Sequence, residues 1–377
     1  MPWKEATCMS QREELAMLAR SQTLSVAELA RRFGVSRKTI YKWRGRSATG
    51  EGAADRSRRP HASPTRTAAS MEQAILDVRH DHPAWGARKI AHVLARRGHT
   101  ALPAISTITE ILRRHGLIAP EATAAATHWQ RFEHPEPNDL WQMDFKGTVT
   151  VGQRHCDPLT VLDDHSRFNL ILQATPDKTG KTVQKALIAA FRRYGLPRRI
   201  NMDNGSPWGI ACGNSSDLSA FAIWVIRVGI ETSFSAPHHP QTNGKEERFH
   251  RSLKAELLSR RPFTSLAQMQ MAFDAWRDIY NQERPHQGIG MAVPADRYRP
   301  SPRAYPERLP SIEYLPGDLV VRVKQRGRLY YKGWQAQLST ALSNHDVALR
   351  PRPASDGLYD VFFSHHHLTV IHLNKSR

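Results

Sequence analysis

Cysteine is scarce in this sequence of 377 residues: Cys8, Cys156 and Cys212 are widely spaced, and none belongs to a C-x-x-C pair. An odd, scattered set supports neither a disulfide framework nor a structural zinc site. His365, His366 and His367 stand together, but no further ligand lies at a fixed spacing from them, and they read as part of a strand. A reducing, cytoplasmic setting is the expectation. No apolar run approaches the roughly 20 residues that a spanning helix needs, and the first residues hold no secretory apolar segment, so no membrane partner is expected. Acid is also short: 35 Asp plus Glu against 54 Lys plus Arg leave a formal charge of +19. Such an excess favours a polyanionic partner, and with membranes set aside that partner is nucleic acid.

At roughly 100–200 residues per domain the length accommodates several domains. Residues 1–50 read as a helix-turn-helix. Ser25 and Glu28 make a capping-box pattern at the start of a helix Val26–Arg32, Phe33-Gly34-Val35 forms the turn, and Ser36 caps a second helix, Arg37–Arg46. The second helix buries Ile40 and Trp43 and presents Arg37, Lys38, Lys42 and Arg44, as a helix entering the major groove of DNA does. Its one-signed charge favours DNA binding over a merely solvated packing hairpin.

Residues 51–68 form a basic linker rich in Gly, Ala, Ser, Arg and Pro. A second helical, helix-turn-helix-like domain follows at 69–125, with helical periods over Met71–Arg79, Ala87–Arg97 and Ile105–His115. Arg88 and Lys89 join the candidate DNA contacts there, although a solvated face explains such charges almost as well.

Residues 135–300 change character. Strands near 140–146, 156–163, 168–174, 198–202 and 230–235 alternate with helices near 180–194, 216–228, 244–260 and 265–281, which implies a central α/β core with a mixed sheet. A Pro-rich stretch then leads to residues 311–377, a small β-rich, barrel-like domain in which Arg322, Lys324, Arg326, Arg328 and Lys332 offer a third DNA contact.

Three carboxylates carry the chemistry. Asp144 lies inside the first core strand, Asp203 follows the strand at 199–202, and Glu247 sits at the start of the long helix. An aspartate within a strand is a poor choice for stability, and clustered carboxylates are costly to desolvate without a cation. Hard divalent ions take oxygen ligands, so Mg²⁺ or Mn²⁺ suits such a set, and two ions side by side serve in-line displacement at phosphorus.

Helical spacing separates Glu247 from its neighbour. Arg251 and Lys254 share the face of Glu247, with His250 beside them, whereas Glu246 aligns with Phe249, Leu253 and Leu257 on the stripe expected to pack on the sheet. Glu247 is therefore the expected ligand, and Glu246 snorkels or caps the first turn. Asn243, Arg248, His250, Arg251 and Lys254 are expected to meet DNA, with His238 as a further positioning candidate; Asn204 and Gly205 shape the backbone beside Asp203. Asp163 and Asp164 fall in a turn between strands, where turn chemistry alone accounts for aspartate.

These pieces together resemble the bacterial insertion-sequence transposases of the retroviral-integrase, or DDE, superfamily. The resemblance rests on the N-terminal helix-turn-helix, Trp85-Gly86-Ala87-Arg88-Lys89-Ile90, Trp141-x-x-Asp144, Asp203-Asn204-Gly205, the run His239-Pro240-Gln241-Thr242-Asn243-Gly244-Lys245-x-Glu247-Arg248, Tyr280-Asn281-x-x-Arg284-Pro285-His286, and Pro294. It implies an RNase H-like catalytic core in which Asp144, Asp203 and Glu247 hold two Mg²⁺ or Mn²⁺ ions. It also implies double-stranded DNA, the element ends and the target, as partner, and an assembly of at least two copies to hold two ends. No small-molecule cofactor is implied, and the setting is the bacterial cytoplasm and nucleoid.

Two departures accompany it. Asp203 and Glu247 are 44 positions apart, wider than in many relatives, which an insertion near Gly209–Ser216 explains; and position 246, usually small and apolar, is Glu. The expected activity is 3′-end hydrolysis and strand transfer. The alternatives are a transposase-derived DNA-binding regulator that does not cut, and an RNase H-like structure-specific nuclease.

Overall fold

The computed structural model describes residues 8–56, 66–118, 133–203, 205–208, 218–234, 244–353 and 357–372. Two compact units divide it, Met1–Arg66 and Thr67–Arg377. No described helix is long and apolar enough to cross a membrane.

The first unit is a bundle of α1 (Cys8–Ser21), α2 (Val26–Arg32) and α3 (Arg37–Ala48). The capping box at Ser25 forms in full: its hydroxyl accepts from Glu28 N, and Glu28 reaches back to Ser25 N at 2.8 Å. Gly34, at φ +61°, makes the turn that lets α3 start at Ser36, whose hydroxyl accepts from Thr39 N. Leu15, Ala19, Leu29, Ile40 and Trp43 meet in a small core. Arg37, Lys38, Tyr41 and Lys42 are left exposed along α3, and Arg44 is half-exposed. Helix α1 has no counterpart in the sequence reading, because it buries only Leu15 and Ala19, too thin a stripe to mark a period.

The second unit begins with α4 (Ala69–Asp81), α5 (Ala87–Arg96) and α6 (Ile105–Arg114), which pack around Ile75, Trp85, Ile90, Leu94 and Ile108. The strands β1 (Leu140–Phe145), β2 (Val149–Val151), β3 (Arg154–Cys156), β4 (Leu159–Asp163) and β5 (Asn169–Gln173) follow. Next come α7 (Gly180–Tyr194), β6 (Arg199–Met202), α8 (Ala220–Arg227), β7 (Glu231–Phe234) and α9 (Gly244–Leu253). Helix α9 runs into a π-turn at Lys254–Leu258, and α10 (Leu266–Gln282) and α11 (Pro294–Arg297) complete the core. The five-stranded sheet has the order β5-β4-β1-β6-β7; β5, β4 and β1 pair antiparallel, and β1, β6 and β7 parallel. This is the mixed RNase H-like sheet expected of the core. The single strand expected over 156–163 resolves into β4 and half of a separate β2–β3 hairpin.

Alternation along the central strand β1 decides what each face receives. Trp141 and Met143 join Val183, Leu187, Phe191 and Phe221 of α7 and α8 in one core, while Leu162 of β4 packs with Phe249 and Leu253 of α9 and with Phe273, Trp276 and Tyr280 of α10 in another. Gln142 and Asp144 therefore look towards α9.

The last stretch holds β8 (Leu319–Arg322), β9 (Arg328–Tyr331), β10 (Trp334–Gln337), β11 (Asp346–Pro351), β12 (Leu358–Phe363) and β13 (His366–His372). They form a four-stranded antiparallel sheet, β13-β12-β11-β8, with a β9–β10 hairpin beside it. Its core is shared with α8, whose Ala222, Ile223 and Ile226 pack with Val347, Val361 and Phe363. His366 and His367 are strand residues; His367 Nε2 lies 2.8 Å from Asp360.

Candidate active site

Strand β1 delivers Asp144 to the α9 face of the sheet centre, next to the parallel β6 whose end leads into Asp203. Helix α9 starts across that face and carries Glu247 in its first turn. Burial, and to a lesser extent the charges of Asp203 and Glu247, hold the Asp144 carboxyl at about 6 against the lowering effects of the Phe145 N–H and Lys178. Asp203 and Glu247 are thus both near enough for Asp144 to feel their charge. The three carboxylates do not form a closed cage: among the described residues no three His, Cys, Asp or Glu side chains are gathered closely enough to hold a metal ion as they stand. Each aspartate bonds its own backbone instead, Asp144 Oδ1 accepting from Phe145 N at 2.7 Å and Asp203 Oδ1 from Gly205 N at 2.9 Å. A Cβ at position 205 would sit 3.2 Å from Asp203 Oδ1, which favours glycine there. Trp208, fully buried, stacks on Phe145 at 5.1 Å and backs the loop.

The two glutamates of α9 part company. Glu247 is exposed, with Arg248, Arg251 and Lys254 exposed on the same side of the helix. Glu246 is fully buried; it neither snorkels nor caps the turn, but accepts from the Thr160 hydroxyl at 3.0 Å, and its Oε1 has no hydrogen-bond partner. Burial, then Asp144, holds its pKa well above the carboxylate range. His250 is also turned inward. It lies one helical turn beyond Glu246, so it follows Glu246 into the sheet and not Glu247 outward. Its Nε2 is 2.8 Å from Thr160 Oγ1 and its Nδ1 3.9 Å from Asp144 Oδ2. Burial and Lys146 push its pKa down to about 3. A buried neutral imidazole is not the DNA contact that the sequence suggested.

Lys89 departs from expectation in the same way. Arg88 is exposed on α5, but Lys89 packs inward 3.9 Å from Glu256 of the π-turn, and burial pushes its pKa down to about 7. Glu256 also accepts from Arg284 Nε at 2.9 Å and Trp276 Nε1 at 3.2 Å. Tyr280 packs edge-on against Phe249, and the Asn281 side chain bonds both the N–H and the C=O of Asn169. The Tyr280–His286 motif is thereby a brace for α9.

The turn after β4 carries more than turn chemistry. Asp163 accepts from Ser166 and from Asn138 N, and burial raises its pKa. Asp164, almost fully buried, accepts from Gln142 Nε2 at 2.8 Å and His134 N at 2.9 Å and pairs with Lys245. Sequence reasoning missed Thr160, Asp164 and Lys245; the signal for the last two was a second aspartate in a short turn and a lysine inside the α9 motif with no assigned role. Asn204, His238, Asn243 and the insertion near 209–216 lie outside the described residues.

Comparison with known proteins covers the same segments. Integrase core domain families match residues 134–240 and 228–294, a helix-turn-helix domain 11–61, a homeodomain-like domain 39–112, and the C-terminal domain of the IS481 family transposases 318–377. An uncharacterized 39.2 kDa protein of insertion element IS476 from Xanthomonas euvesicatoria is 34% identical over 159 residues, 42% of this chain and 44% of that protein. A 31.7 kDa protein of insertion element IS407 from Burkholderia multivorans is 27% identical over 160 residues, 42% of this chain and 55% of its own length. The chain thus spans about half the length of these relatives. Among solved structures, the HTLV-2 integrase catalytic core domain in complex with magnesium matches 43% of this chain and 97% of its own at 19% identity and a TM-score of 0.31. Integrase core, helix-turn-helix and IS481 C-terminal segments thus follow one another along the chain, and together with the insertion-element relatives they support an insertion-sequence transposase of the retroviral-integrase superfamily.

Proposed function

We propose that this chain is a DNA transposase that frees the 3′ ends of a mobile element by hydrolysis and joins them to target DNA, with Asp144, Asp203 and Glu247 as ligands of two Mg²⁺ or Mn²⁺ ions. The observation that carries the reading is the half-buried Asp144 carboxyl at the sheet centre, raised first by burial and, to a lesser extent, by the charges of Asp203 and Glu247. Three carboxylates brought towards one end of the sheet are a donor set for a hard divalent cation. Bound there, such ions supply activation of the attacking oxygen and stabilisation of the leaving one.

The chain's own groups do the rest. In hydrolysis a water oxygen bonds phosphorus, the P–O3′ bond breaks, and the 3′ oxygen leaves as a hydroxyl; in joining, that hydroxyl oxygen bonds a target phosphorus and another 3′ oxygen leaves. Arg248, Arg251 and Lys254 flank Glu247 and take the phosphate backbone, while Arg37, Lys38, Lys42 and Arg44 on α3 address the element ends in the major groove. In the same reading residues 1–50 and 69–125 select DNA and 135–300 carry the chemistry, and holding two ends requires at least two copies.

A supercoiled plasmid carrying the element ends, incubated with Mg²⁺, tests it. The wild-type chain should nick and join. Asp203→Asn should lose more than about 100-fold of that activity, because loss of groups merely surrounding a metal site already costs about 10–100-fold. Undiminished cutting by Asp203→Asn refutes the site, and footprinting of the ends without cutting under any divalent ion favours a non-catalytic DNA binder.

A further inference from the structure

We infer that Asp164 and Lys245 are positioning residues that set the spacing between Asp144 and Glu247. The inference rests on the metal-site reading above and assigns the register of that site to one buried ion pair.

Asp164 joins the two elements that carry the outer members of the site. Its Oδ1 accepts from the Gln142 side chain of β1 and pairs with the Lys245 ammonium of α9; its Oδ2 accepts from His134 N, and its own N–H donates to Leu140 O at 2.9 Å. Lys245 Nζ also reaches the Asp164 carbonyl at 3.4 Å. Gln142 lies two residues before Asp144 along β1, and Lys245 two residues before Glu247 along α9. Successive side chains of a strand alternate, so Gln142 and Asp144 share a face about 7 Å apart. Fixing Gln142 and Lys245 to one carboxylate therefore fixes strand and helix to each other just upstream of both proposed ligands.

The apolar anchors of α9 are less able to define register. Phe249 and Leu253 pack in an apolar cluster, and apolar contact is not directional. Thr160 also touches α9, at Glu246 directly beside Lys245 and at His250 one turn further along, and so adds a second polar contact between sheet and helix. A buried ion pair adds little net stability compared with well-packed apolar groups of the same size, whereas its geometry is specific. Stability and register are thus separable. Replacing one partner unbalances the buried charge; neutralising both avoids that penalty and leaves the loss of register as the main effect.

The test uses the full chain and Mn²⁺ alone, with binding followed by electron paramagnetic resonance and folding by thermal melting. The wild-type chain should bind Mn²⁺ and Glu247→Gln should lose it. The pair Asp164→Asn with Lys245→Met should melt close to the wild type yet bind Mn²⁺ about 10–100-fold more weakly, the range seen when groups that orient ligands are removed. A pair variant that binds as tightly as the wild type overturns the positioning role, because a purely structural pair moves the melt and not the metal. Should the pair variant fail to fold, Lys245→Arg decides: it keeps the charge but changes the reach, and affinity within about twofold of wild type overturns the proposal. Wild-type and Glu247→Gln chains that bind Mn²⁺ equally remove the metal site itself, a different failure from loss of the clamp.

Discussion

Adjacent glutamates at the start of α9 stand in opposite environments, and that contrast gives the sharpest residue-scale expectation. Glu247 is exposed beside cations, while Glu246 is buried against Thr160 with one oxygen unpartnered and its carboxyl pushed by burial towards the neutral form. A neutral carboxyl and a carboxamide have nearly the same shape and bonding capacity. Glu246→Gln should therefore keep plasmid cutting within a few-fold of wild type, and its melting temperature should not fall. Glu247→Gln should fold equally well and lose cutting altogether, since a carboxamide is a weak ligand for a hard cation. Loss of cutting in Glu246→Gln with retention in Glu247→Gln would reverse the assignment within the pair. The choice was legible at all because 100° steps put Phe249 and Leu253 with Glu246; His250 was misplaced because its distance from Glu246, a full turn, outweighs its nearness to Glu247 in sequence.

At the scale of elements, α9 is held from behind by α10 and from the side by α5. The π-turn that ends it places Glu256 against Arg284, Trp276 and Lys89, so a half-buried lysine of the second helical segment packs on the α/β core. Its pKa of about 7 lies below the ordinary 10.5, which fixes the sign of its effect. Between those values the unfolded chain holds a proton that the folded chain does not, so this group makes stability rise with pH across that window. Below about 7 both states are protonated and the burial penalty is complete; above 10.5 neither is, and it vanishes. Lys89→Met should accordingly raise the melting temperature most near pH 6.5 and progressively less towards pH 10, with Glu256 still paired to Arg284. A gain that is the same at every pH would show that packing, not charge, is what the substitution changes. Lys89 looked like a DNA contact because its partner lies far along the chain, and no local pattern marks a tertiary ion pair. The same reason hid Thr160 and the Asp164–Lys245 pair, which meet α9 across 86 and 81 positions. Elements with a wide apolar stripe, such as α5, α6 and α7, were legible to within a residue or two; the three-residue strands β2 and β3 and the π-turn leave too little periodicity to read.

Over the whole molecule, a charge of +19 makes DNA binding strongly salt-dependent, but the cations divide by position. Those on α3 belong to a helix with the capping and turn of a recognition helix, and in the proposed function they meet base edges; those on the outer side of α9 flank the proposed metal site and in that reading meet the phosphate backbone. Both sets together, at 6–10 phosphates, imply that affinity falls by about 10³–10⁵ between 50 and 200 mM salt. The division predicts different signatures for two double substitutions. Arg251→Ala with Lys254→Ala should weaken binding to element ends and to random duplex alike, and lower the slope of log affinity against log salt by about two, one for each phosphate no longer neutralised. Arg37→Ala with Lys42→Ala should weaken binding to the ends more than to random duplex, narrowing the preference between them as base-edge hydrogen bonds disappear. Fluorescence anisotropy with both duplexes over a salt series measures slope and preference together. If the α9 pair narrowed the preference while the α3 pair only lowered the slope, the outer face of α9 would be the element that selects sequence, and the helix-turn-helix would serve as a general phosphate clamp.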